Sequence, residues 1–180
     1  MQTRSLGDPG NPATLTVLES GHAIEFSFED LIRYHGPGSP GGVAHAFKVM
    51  EHGLQLLGPA GPPERREITV TTAFGGPGAR DAFECVTRAV TENRYAVDPS
   101  LARPELGSTR SRFVFRLGYR SGIATLVLRS GFVTEEFLDL AGRAARTPQQ
   151  EARLTQLKQE MAARVMSAAA SDVYDAALET

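Results

Sequence analysis

The sequence predicts an α+β fold, a small mixed or antiparallel sheet packed with helices and followed by a long C-terminal helix. Two stretches carry the strand part of that prediction. Phe113, Phe115, Leu117 and Tyr119 alternate with other residues, turn at Arg120-Ser121-Gly122 and continue from Ile123 to Arg129, the pattern of a hairpin. Glu67–Ala73 alternates Ile68, Val70 and Thr72 with polar neighbours, which reads as a further strand. The helical part rests on apolar residues spaced three and four apart in two places. One is Val43, Phe47, Met50, Leu54 and Leu57; the other is Leu154, Leu157, Met161 and Val165.

From the start of the chain, Met1–Ala13 carries Gly7, Pro9, Gly10 and Pro12 and few large apolar groups, so residues 1–20 are assigned to a flexible tail, with order starting near Leu15 to Val17. Residues 21–132 form the predicted α+β core and 133–180 a helical segment. Ser27 precedes Phe28 and Asp30, a cap with an acid at the third helical position, and Leu31 and Ile32 extend the apolar side of that short helix. The glycines and prolines of His35-Gly36-Pro37-Gly38-Ser39-Pro40-Gly41-Gly42 break helix and central strand alike, so a loop is predicted there. The second helix then starts at Val43, with Lys48, Glu51, His52 and Gln55 facing away from its apolar stripe. It stops in the glycines and prolines of Gly58–Pro63. After the strand at Glu67–Ala73 comes Phe74-Gly75-Gly76-Pro77-Gly78, a second glycine-rich loop. A third helix is expected from about Arg80, burying Ala82, Phe83, Val86 and Val90. Asn93–Ser108 is rich in turn residues and reads as a surface excursion. Thr134 caps a segment with Glu135 and Glu136 in its first turn, where negative charge suits the helix dipole. Thr147-Pro148-Gln149-Gln150 is a stronger start: cap, proline at the first helical position, glutamine at the third.

Composition removes several functions. The 180 residues are 41% hydrophobic and 22% charged, and the formal net charge of −2 gives no general attraction to nucleic acid or to anionic membranes. One cysteine, Cys85, leaves no intrachain disulfide and no multi-cysteine zinc site within one chain. No run approaches the roughly 18 apolar residues of a membrane span, and the first residues lack a signal-peptide core, so a cytoplasmic protein is expected.

Two junctions could carry chemistry, each a glycine-rich loop leading into a helix start, where unsatisfied N–H groups favour an anion. Neither is a phosphate loop or a dinucleotide fingerprint. His35, at the mouth of the first, could act as acid or base, or could cap its helix. Arg80 and Asp81 stand beside the second, where arginine could hold a carboxylate and aspartate could orient a histidine. His45 and His52 are seven apart, too far for an i, i+4 metal pair, and read as surface or core residues. His22 is isolated. Arg110, Arg112, Arg116 and Arg120 cluster around the hairpin as a solvated face or the wall of an anion pocket, with Arg112 and Arg116 opposite Phe113 and Phe115. Cys85, inside a helix with apolar neighbours, reads as an inert buried thiol.

Tyr34-His35-Gly36-Pro37-Gly38-Ser39-Pro40-Gly41 resembles the aromatic-His-Gly-His-x-Cys-Pro-Gly signature of FmdE-like proteins, a family named for a component of formylmethanofuran dehydrogenase. Thr72–Glu84 resembles the family's strand, loop and Asp-Ala pair, here Asp81-Ala82. Phe113–Leu128 is similar to its aromatic-rich hairpin, and Ala145–Tyr174 to its basic loop, long helix and short terminal segment. The resemblance implies a His/Cys metal site whose ligands this chain has lost. Pro37 stands at the second His position and Ser39 at the Cys position; the Cys before Asp81 is replaced within Gly78-Ala79-Arg80, and a later one by Ala89. One imidazole and a serine cannot close a soft divalent site.

The expectation is therefore a metal-independent, cofactor-free enzyme, a lyase, isomerase or hydrolase acting on a small polar or anionic molecule. His35 would be acid/base and Asp81 its orienter. Ser39, Gly41, Gly42, Arg80, Gly76 and Gly78 would bind the substrate. The alternative is a non-catalytic ligand-binding or assembly protein with a decayed metal site. The stripe on the last long helix, together with the resemblance, predicts a homodimer.

Overall fold

The structure, a computed structural model, describes residues 13–180. It opens with a hairpin, β1 (Thr14–Glu19) and β2 (His22–Ser27), joined by Ser20 and Gly21 at φ of 50° and 80°. Both values are those of a type I′ turn. The Glu64 carboxylate fixes it by accepting from the Ser20 and Gly21 amides at 3.0 and 2.7 Å. The expected tail over residues 1–20 is thus corrected from Thr14 onward, because Leu15 and Val17 are buried in the core; residues 1–12 lie outside those described.

Helix α1 (Phe28–His35) follows, with Ser27 and Asp30 forming a reciprocal capping box. Helix α2 (Pro40–Leu57) begins three residues earlier than the periodicity predicts, with Pro40 in its first turn. Every residue from Val43 to Met50 is buried, so this is a central helix rather than an amphipathic one. Lys48, expected to face outward, is buried and pairs with Glu51 at 2.9 Å.

The strands β3 (Thr69–Thr72), β4 (Tyr95–Val97), β5 (Val114–Tyr119), β6 (Gly122–Leu128) and β7 (Tyr174–Glu179) form one sheet in the order β4-β3-β5-β6-β7. Only β3 and β4 run parallel, so the sheet is mixed and the α+β prediction holds. Two elements depart from the sequence reading. The Asn93–Ser108 excursion contributes β4 to a sheet edge, and the segment predicted as helical to residue 180 ends in β7. Val70, Leu117, Phe115, Leu126 and Tyr174 turn one sheet face toward α2. Gly53 lets the helix lie close, since a Cβ there would stand 2.7 Å from Leu117.

Helix α3 (Pro77–Thr87) packs between α1 and α2, and its C-terminal carbonyls are held by arginines: Arg65 donates to Cys85 and Val86, and Arg94 to Thr87. Helices α4 (Glu135–Ala141) and α5 (Pro148–Ser167) and the short α6 (Ala170–Val173) complete the chain. The α5 stripe of Leu154, Leu157, Met161 and Val165 is buried within the chain itself, against α4 and α2. It therefore gives no reason to expect a partner chain. Among the described residues no helix is long and apolar enough to cross a membrane.

Candidate functional site

The first turns of α2 and α3 lie against each other. Gly78 carries no Cβ where one would run into the Ser39 carbonyl, and a Cβ on Gly42 would stand 3.1 Å from the Ala79 nitrogen. These two glycines are required by helix-to-helix contact, not by a ligand's approach. Gly41 similarly admits Met161 of α5, whose sulfur would be 2.7 Å from a Cβ, and Gly76 admits the Phe74 ring. Neither helix start has a side-chain cap: Ser39 makes no capping bond and Gly76 has no side chain. Their first-turn N–H groups remain without side-chain partners.

Beside this contact opens a cleft of about 570 Å³, within the range of roughly 300–1,000 Å³ found for small-molecule sites. Ser39, Gly41, Gly42, Gly76 and Gly78 line it, as the sequence predicts. One wall is aromatic, with Phe74 and Phe113 stacked at 4.4 Å between ring centres. The opposite wall is Phe137 and Leu138 of α4 with Met161 of α5. Two cations reach the cleft, Arg112 and Lys158, and no carboxylate lines it among the described residues. Lys158 donates to the Gly38 carbonyl at 3.1 Å and so ties α5 to the loop before α2. Arg112 has no hydrogen bond or ion pair among the described residues. Its neighbours in sequence are all engaged: Arg110 with the Leu128 carbonyl, Arg116 with Glu179, Arg120 with Glu67. Arg112 precedes β5, so the expected alternation does not reach it, and it shares the cleft with Phe113 rather than facing away from it.

His35, Asp81 and Arg80 do not line this cleft, which corrects the expected site. Pro77 and Gly78 face the opening, but the helical turn carries Asp81 round toward α1. There it meets His35 Nδ1 at 2.8 Å, with the His35 side chain 9% exposed and Asp81 31%. The expected histidine–aspartate pair exists, and it joins α1 to α3. His35 Nε2 is buried without a partner. Arg80 is exposed and sits 3.6 Å from the other Asp81 oxygen.

The donors available to the implied metal site are few. Beside His35 the structure offers Asp81, and among the described residues no three His, Cys, Asp or Glu side chains come together. The described residues do not fit a metal centre.

Behind the aromatic wall lies a group that the sequence leaves between surface and core. His45 is wholly buried; its Nδ1 shares a 2.7 Å hydrogen bond with the Tyr174 hydroxyl, and its ring lies 4.8 Å from Phe113. Burial pushes its pKa down to about 3, so the ring is neutral. Cys85 is half-buried on α3 away from the cleft, and burial pushes its thiol up. His22 is exposed on β2, and His52 is half-buried with Nδ1 unpartnered.

Phe74 belongs to the second glycine-rich loop itself; the residues that sequence reasoning misses are Lys158, Ser108, Phe113 and the α4 wall. Their distance along the chain gives no signal, whereas the arginine cluster around the hairpin does point at Arg112. No protein-family model matches the chain, and no curated protein matches it.

Proposed function

We propose that this chain is a metal-independent ligand-binding protein whose cleft holds a small anionic molecule over the first turns of α2 and α3. One observation carries the reading: the cleft is reached by Arg112 and Lys158 and by no carboxylate among the described residues. Arg112 is exposed at the cleft's edge, where its unopposed guanidinium can take an anion through two parallel N–H···O bonds beside the apolar walls. Two of the four segments that resemble FmdE-like proteins pack against each other, Ser39 against Gly78 beside the cleft and His35 against Asp81 outside it, which supports a divergent member of that kind. A cytoplasmic location belongs to the proposal, and no helix among the described residues is long and apolar enough to cross a membrane. Homodimer formation rests on the resemblance alone.

Of the two expected roles, binding gains over catalysis because the histidine–aspartate pair is outside the cleft. Acid/base catalysis at His35 retains one supporting observation, a ring that Asp81 holds through Nδ1 and whose Nε2 has no hydrogen-bond partner among the described residues. Amide chemical-shift mapping during titration with butanoate tests the binding reading. Shifts are expected at Gly41, Gly42, Gly78 and Ala79, with loss in Arg112→Gln. Shifts confined to His35 and Asp81, or none, would overturn it. Metal analysis of the purified protein is expected to find no stoichiometric zinc or iron.

A further inference from the structure

We infer that the ligand is an amphipathic monocarboxylate, an acid with one negative head and an apolar alkyl or aryl body. The inference rests on the anion reading above and adds to it the charge and shape of the occupant. The head follows from the guanidinium that is free to meet it. Lys158 is already bound to the Gly38 carbonyl, and Arg112 has no partner among the described residues. A single free guanidinium matches one carboxylate, which it can hold through two parallel N–H···O bonds. A second carboxylate further along the body would lie against the apolar walls and lose its water without replacement.

The body follows from the walls. The stacked pair Phe74 and Phe113 forms one side; Phe137, Leu138 and Met161 form the other. None of these side chains can donate or accept a strong hydrogen bond, so a polar ligand body would lose its water without replacement. A methylene chain or a ring loses nothing there and gains burial on both faces. Arg112 and Ser108 come from the segment before β5, so the charged head sits at that edge while the body runs toward α4.

A chain-length series measured by calorimetry on the intact protein tests this: butanoate, hexanoate, octanoate, with hexanol and succinate as controls. Affinity is expected to rise by up to about fourfold for each methylene buried. Hexanol and succinate are each expected to bind at least about tenfold more weakly than hexanoate. Arg112→Gln should weaken octanoate by about tenfold to a hundredfold, and Leu138→Gln should weaken octanoate more than butanoate. Thermal melts establish that each variant is folded; if Leu138→Gln is not, the wild-type series still decides. A flat series whose binding still requires Arg112 overturns the amphipathic ligand and leaves the anion cleft standing. Binding that ignores Arg112 at every length overturns both.

Discussion

His45 makes stability depend on pH in a calculable way. Its imidazole is fully enclosed and has the Tyr174 hydroxyl as its one hydrogen-bond partner among the described residues, and burial holds the folded-state pKa near 3 against an ordinary value of 6.5. Between those two values the unfolded chain binds the proton and the folded chain does not. Stability from this residue is therefore complete above pH 6.5 and is lost as pH falls toward 3. Each pH unit in that window costs about 1.4 kcal/mol, so going from pH 8 to pH 5 removes about 2 kcal/mol through His45 alone. Urea unfolding of the wild type and of His45→Gln at pH 8, 6.5 and 5 isolates this share, because the carboxylates titrate alike in both. The variant starts less stable, having lost the bond to Tyr174, and the gap should close by about 2 kcal/mol at pH 5. Parallel profiles would refute the argument, as would an imidazole proton signal from His45 that titrates near neutrality.

Three other outcomes follow from contacts described above. Asp81→Ala should cost about 1–3 kcal/mol by leaving buried His35 unpaired, seen in urea melts, while leaving Arg112-dependent butanoate binding unchanged; a loss of binding would mean the pair belongs to the cleft after all. Gly78→Ala drives a Cβ into the Ser39 carbonyl and should destabilise by about 1–3 kcal/mol, whereas Gly38→Ala, with open space around it, should stay within about 0.5 kcal/mol; equal thermal shifts for the two would dismiss close helix contact as the reason for Gly78. Burial holds the Cys85 thiol in its protonated form, so at pH 8 a thiol reagent should label the native protein several-fold more slowly than the urea-unfolded chain.

Local chemistry is readable in the sequence and long-range placement is not. The Ser27 and Thr147 caps, the β5–β6 hairpin and the α5 stripe each depend on residues within a few positions, and each forms where expected. Helices α2 and α3 start three residues before their predicted positions, because Gly and Pro signal a break while proline is compatible with a first helical turn. β4 and β7 give no local signal because each gains its hydrogen bonds from a strand tens of residues away, and Asp175-Ala176-Ala177 has little strand propensity of its own. The same distance effect governs the site. Its glycine-lined floor is local and legible, while its two cations and most of its apolar lining arrive from the segment before β5, from α4 and from α5. His35 and Asp81 are correctly paired and wrongly aimed, since a pairing can be guessed from residue types but a direction needs the helix packing.

The hairpin of β1 and β2 shares no ladder with the five-stranded sheet. It is attached through the buried Leu15 and Val17, the half-buried Phe26, an amide-to-carbonyl bond from Leu18 to Pro63, the Glu19–Arg66 ion pair and the Glu64 clasp on its turn. The protein therefore holds two tiers of backbone protection. Solvent deuterium should enter the amides of residues 14–27 through openings that leave β5 and β6 closed, and only global unfolding should release the inner strands. Neutralising Glu64 would widen the separation between those tiers without touching the inner one.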